Sequence, residues 1–112
     1  MDVRNVKIPG LLDALRSILH VLPARAIYLY GSNARGDQKP DSDIDLLVVV
    51  DNQIQDSPRT LAARGYAALR NCPLPLELKV VKEADFQKRK NWLSSLESAV
   101  LSEGKLLHGV GY

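Results

Sequence analysis

Apolar residues recur along this chain in two rhythms. Leu11, Leu12, Leu15, Ile18, Leu19 and Leu22 fall three and four apart, the period of a helix with one apolar face, between Pro9 and Pro23. Ala26 to Tyr30 then alternates branched and aromatic positions until Gly31 ends it, which predicts a strand. Ser32 to Ser42 is polar, with two glycines and a proline, and reads as a loop holding at most one helical turn. Ile44 to Val50 is almost continuously apolar, the pattern of a central strand buried on both faces. Ser57 and Pro58 make a helix start, with Ser as the cap and Pro at the first helical position, leading a helix towards Arg70. Gly65 weakens the middle of that helix. Leu76 to Val81 alternates as a third strand with one mixed face. From Glu83 a helical region follows with Phe86, Trp92, Leu93, Leu96, Val100 and Leu101 as its apolar stripe, ending near Gly104. The order α-β-(loop)-β-α-β-α-α predicts an α/β (α+β) fold, a small mixed sheet flanked by helices.

Composition narrows the function classes. The 112 residues suit one domain spanning 1–112. Lys and Arg number 15 against 13 Asp and Glu, a near balance that argues against nucleic acid as the main partner. The longest aliphatic run, Leu46 to Val50, is too short to span a bilayer, and Asp13 and Arg16 interrupt any leader-like segment, so the expected location is the cytoplasm with no membrane partner. One cysteine, Cys72, with His20 and His108, is too little for a disulfide or a structural zinc site. No repeat or low-complexity segment is present.

The chemistry concentrates between Gly31 and Asp45. Gly31 and Ser32 leave a strand and open a turn, where exposed backbone N–H groups favour an anion. Gly31 lets backbone come close, Ser32 adds a hydroxyl, and Arg35 offers a charge-assisted contact to phosphate. Ten residues after Ser32, Asp43 and Asp45 share one face of the next strand, roughly 6–7 Å apart along the backbone. Two carboxylates on one face repel unless a cation lies between them, and hard oxygen ligands suit Mg²⁺ or Mn²⁺. An anion cradle beside a carboxylate pair fits a metal–triphosphate complex.

Gly31-Ser32-x10-Asp43-x-Asp45 resembles the signature of the DNA polymerase β-like nucleotidyltransferase superfamily. The longer string from Gly31 to Asp37, with Ser42-Asp43-Ile44-Asp45-Leu46, is similar to its minimal nucleotidyltransferase branch, small proteins often encoded beside a HEPN-domain ribonuclease toxin. The likeness extends to the leading helix, the third strand and the ending Glu103-Gly104-Lys105-Leu106-Leu107. It implies the polymerase β-like fold and a third carboxylate at Glu77, where family members more often carry Asp. It also implies a two-metal transfer in which Asp43 and Asp45 hold two Mg²⁺ or Mn²⁺ ions, one bearing the triphosphate of ATP. Glu77 then helps the second ion activate an acceptor hydroxyl. The family's antitoxins transfer AMP to a tyrosine of the partner HEPN toxin, so the resemblance implies AMPylation of such a toxin and a hetero-oligomer with it. The chain has no length left over for a separate acceptor-binding domain, which also points to a partner protein.

Other readings of the same residues stand beside this one. Asp41, Asp43 and Asp45 open like a calcium loop, but Leu46 and Asn52 occupy the positions needing Gly and an acid. Gly31 and Gly36 have Walker A spacing, but Asp37 and Gln38 replace its Lys and Ser/Thr. Glu77 taken alone reads equally as a ligand or a solvated strand residue, and Lys79 as part of a solvated face ahead of a partner to Glu77 or a phosphate contact. Lys88-Arg89-Lys90 reads as an exposed helix side, and Trp92 as core. Against the transferase stands an antitoxin that neutralises its toxin by stoichiometric binding, the nucleotide site being weak or vestigial. Transfer to RNA or an aminoglycoside is a third option, disfavoured by the charge balance and the single domain.

Overall fold

The computed structural model describes residues 6–112, so a domain spanning 1–112 runs five residues beyond the described part. Its elements are α1 (Leu11–Val21), β1 (Ala24–Tyr30), α2 (Ser32–Arg35), β2 (Ile44–Val50), α3 (Pro58–Ala68), β3 (Leu76–Lys82), α4 (Glu83–Arg89), α5 (Leu96–Glu103) and β4 (Lys105–Gly109). The strands form one mixed sheet in the order β3-β2-β1-β4. β1 runs antiparallel to β2 and β4, while β2 and β3 are parallel. The connection between that parallel pair is α3, as a parallel crossover requires.

Alternation along the strands gives the sheet two apolar faces. Ile27, Leu29, Leu46, Val48, Val50, Leu78 and Leu107 point to one side, where Leu11, Leu15 and Ile18 of α1 and Leu61 of α3 cover them. Ala26, Tyr28, Leu47, Val49 and Val81 point to the other, under Phe86 of α4 and Val100 of α5. The Tyr28 and Phe86 rings stack there with centroids 5.9 Å apart. β2 is therefore buried on both faces, as its sequence predicts. Ser57 caps α3 by accepting from the Thr60 N–H, again as predicted. Gly65 is buried where α3 crosses β3; a Cβ there would stand 2.8 Å from the Leu78 Cδ1, and that side chain would have to shift.

Two expectations need correction. The helical region after Glu83 is not one apolar stripe. It breaks after Arg89, and Ser95 starts α5 by accepting from the Ser98 N–H while its hydroxyl donates to the Arg89 carbonyl. Trp92 and Leu93 fall in the turn between the helices and are 51% and 99% exposed, so Trp92 is not core. The chain after Gly104, unassigned from sequence, is the edge strand β4, held by β1.

Candidate active site

One end of the sheet carries the polar constellation. β1 ends at Tyr30, and Gly31 turns the chain with φ 75° and ψ −157°, a conformation essentially confined to glycine. The single turn α2 follows. The Ala34 and Arg35 amides donate to the Gly31 carbonyl, at 3.0 and 3.1 Å, and those of Gly36 and Asp37 to the Ser32 carbonyl, at 2.9 and 3.1 Å. The Ser32 and Asn33 amides precede these and stand at the mouth of the turn. The Asn33 Nδ2 donates to the Asp43 carbonyl at 2.9 Å, tying the turn to the approach to β2. Nothing in the spacing marked Asn33 beforehand; its role depends on the two loops meeting.

The same glycine sets how close the acid approaches. A Cβ at Gly31 would overlap Asp45 Oδ2 and stand 3.4 Å from its carboxyl carbon. Only a hydrogen in place of a side chain lets the Asp45 carboxylate rest against the turn that presents Ser32.

Register places the other groups. Tyr30 pairs with Asp45, and Asp45 with Glu77, so three partners form one row across β1, β2 and β3. Partners on adjoining strands share a face. Asp43 lies one residue before β2 and is exposed. Burial raises the Asp45 pKa above its ordinary value, and the negative charges of Glu77 and Asp43 raise it further; Lys79 alone opposes them. The Lys79 Nζ lies 3.8 Å from Glu77 Oε1 with both side chains about half exposed, which screens the attraction. The Tyr30 hydroxyl is buried without a hydrogen-bond partner. Burial first, then Asp45 and Glu77, push its pKa well above the ordinary phenol value, so it stays a proton donor.

These residues suit a divalent cation by chemistry more than by preformed geometry. Asp45 and Glu77 supply hard oxygens side by side, crowded and partly desolvated, which a cation would relieve. Among the described residues, however, no three His, Cys, Asp or Glu side chains already surround a common point. Asp43 is exposed, and a site of three carboxylates would need it to turn in. Arg35 is engaged by two acids, Asp37 at 3.2 Å and Glu103 at 3.4 Å, so contact with a phosphate would require exchanging those partners.

The model of the nucleotidyltransferase domain family matches residues 8–106, nearly all of the described chain. The chain belongs to the nucleotidyltransferase domain family. A search among curated proteins finds no match. Among solved structures, this nucleotidyltransferase domain is similar to a candidate nucleotidyltransferase from Sulfolobus solfataricus, at 21% identity and a TM-score of 0.58, covering 93% of this chain and 79% of that one. It is also similar to a chain of a toxin–antitoxin complex with AMP-PNP, at 24% identity and a TM-score of 0.53, covering 88% of this chain and 73% of that one. A mutant of the toxin–antitoxin pair MntA–HpeT shares 23% identity with a TM-score of 0.52, over 90% of this chain and 72% of that one. These likenesses establish a common polymerase β-like fold.

Proposed function

We propose that this nucleotidyltransferase is metal-dependent and transfers AMP from ATP to a hydroxyl, a tyrosine of a partner HEPN-type toxin, thereby acting as its antitoxin in the cytoplasm. The observation that carries the reading is the row of Asp45 and Glu77 set against the Gly31–Ser32 turn. Support for the antitoxin role comes from the toxin–antitoxin complexes that share the fold, one of them with AMP-PNP. No helix among the described residues is long and apolar enough to cross a membrane.

Each residue has a task in this reading. The Ser32 hydroxyl and the amides at the mouth of α2 grip the outer phosphates, with Arg35 as a further contact. Asp43, Asp45 and Glu77 would hold two Mg²⁺ or Mn²⁺ ions. Such ions, when bound, neutralise the triphosphate and make a nearby hydroxyl more acidic. The acceptor oxygen forms a bond to the α-phosphorus as the bond to the β-phosphate breaks. Pyrophosphate carries that electron pair away, and the acceptor's proton passes to a Glu77 carboxylate oxygen. The buried Tyr30 hydroxyl remains protonated beside the acid row.

The test is transfer of label from α-labelled ATP to the protein encoded beside this one. Wild type should label a tyrosine of that partner, and Asp45→Asn should not. Unlabelled partner with wild type, or equal labelling by Asp45→Asn, would overturn the reading. A second reading, neutralisation by stoichiometric binding, is favoured by one observation: the acids are not already gathered round a point. Full neutralisation by Asp43→Asn/Asp45→Asn would establish it.

A further inference from the structure

We infer that the groove along the free edge of β3 at Val80 receives the base of the nucleotide, a purine bearing an exocyclic amine; this rests on the nucleotidyl-transfer reading above. β3 is an edge strand, so half of its main-chain groups face outward. The Ile44 N–H donates to the Pro75 carbonyl at 2.8 Å, which fixes the ladder. In that parallel pattern Glu77, Lys79 and Val81 bond to β2, while Leu78 and Val80 direct both N–H and C=O away from it.

The two outward residues are treated differently. The Tyr66 hydroxyl caps Leu78, accepting from its N–H at 2.8 Å and donating to its carbonyl at 3.5 Å. No described residue takes up the corresponding pair at Val80. Val80 instead lines a cavity of about 300 Å³, whose lining sets Leu47, Ala62 and Leu96 beside Arg59, Arg89 and Glu97. Its apolar part suits a flat ring, and its edge supplies one donor and one acceptor, the complement of an adenine ring nitrogen and amine. Glu97 is the one buried charged residue among those described, with Arg89 Nη1 at 3.8 Å. Its carboxylate adds an acceptor for an amine and repels a ring carbonyl.

Position connects this groove with the acids. Leu47 and Lys79 follow Asp45 and Glu77 by two residues on the same face, about 7 Å along the strands. The Ser32 turn lies beyond the opposite side of the acid row. Phosphates at the turn, an α-phosphorus over the acids and a base at Val80 therefore lie along one line.

Proline tests the edge directly. On an edge strand with its N–H outward, proline removes that donor and no ladder bond. Binding of ATP and of tripolyphosphate in Mg²⁺ should be measured by calorimetry for wild type, Val80→Pro and Ala62→Trp, with melts to establish folding. Val80→Pro should bind ATP about tenfold more weakly, the loss of one hydrogen bond. Ala62→Trp, which fills the groove, should bind ATP no more tightly than tripolyphosphate. All three should bind tripolyphosphate alike. If both folded variants bind ATP as wild type does, and that binding depends on Asp45, the base lies elsewhere and this inference alone falls. If wild type binds neither probe, or Asp45→Asn binds ATP unchanged, the nucleotide reading falls and takes the groove with it.

Discussion

Replacing Gly31 with alanine tests the contact on which the site is built. Two separate penalties follow from the geometry. The backbone angles of φ 75° and ψ −157° are strained for any residue with a Cβ, at roughly 1–3 kcal/mol. For a domain of about 100 residues each kcal/mol lowers the melting temperature by about 4–8 °C, so a fall of about 4–24 °C is expected. The second penalty falls on chemistry. The new methyl would overlap Asp45 Oδ2, and ordinary contact would require the carboxylate to retreat by roughly 1 Å, a displacement that costs about 10²-fold in rate. Gly36→Ala separates the two penalties. Gly36 also has positive φ, 84° with ψ 12°, but nothing lies within 4 Å of its added Cβ. It should lose roughly 1–2 kcal/mol of stability and keep its transfer rate. The assay is label transfer from α-labelled ATP to the partner at a temperature where both variants are folded. If Gly31→Ala transferred as fast as Gly36→Ala, the close approach of Asp45 to the turn would have no bearing on catalysis.

Two further substitutions probe groups around the site and the sheet. Tyr30→Phe removes a buried hydroxyl that has no partner, so denaturant unfolding should show stability unchanged or raised by up to about 1 kcal/mol. A clear loss of stability would mean that the hydroxyl is bonded within the fold after all. Asp51 accepts from the Gln53 N–H at 2.8 Å and from Arg25 at 2.9 Å, and the backbone bond, then Arg25, hold its pKa below the ordinary carboxylate value. A depressed folded-state pKa stabilises the fold above the unfolded value, and that contribution fades as pH falls through the folded value. Asp51→Asn should therefore melt below wild type at neutral pH, with the gap closing in acid; a gap of constant size across that range would contradict the assignment.

What could be read from the chain alone follows from how local each signal is. α1 and β2 were legible because burial of one helix face, or of both strand faces, writes itself into consecutive residues. β4 left little trace. Of its five residues only Leu107 is fully buried, and the strand exists because β1 offers an edge. Trp92 and Leu93 kept the helical spacing of the residues around them, and the Ser95 cap that breaks the helix was outweighed by that rhythm. In the site, Asp43 and Asp45 announced themselves by spacing after Gly31 and Ser32. The pairing of Glu77 with Asp45 depends on strand register between residues more than 30 positions apart. Tyr30 looked like any aromatic strand residue; its orphaned hydroxyl is a property of the neighbours it acquires on folding.

At the end of the sheet where that row lies, the departures from packing rules share a direction. Elsewhere the strands bury apolar side chains on both faces. At the acid row two carboxylates stand side by side with one screened lysine near Glu77, a phenol hydroxyl is buried without a partner, and a glycine is held in a conformation that costs entropy to reach. Each of these lowers the stability of the ligand-free fold. Positive charge placed among the acids would reverse the first, and an acceptor brought in by a ligand would satisfy the second. A polar arrangement that destabilises the empty protein and is relieved by one kind of ligand is the expected signature of a site shaped by binding rather than by folding. The stability of this protein should accordingly rise with ATP and Mg²⁺ together, and the rise should vanish in Asp45→Asn.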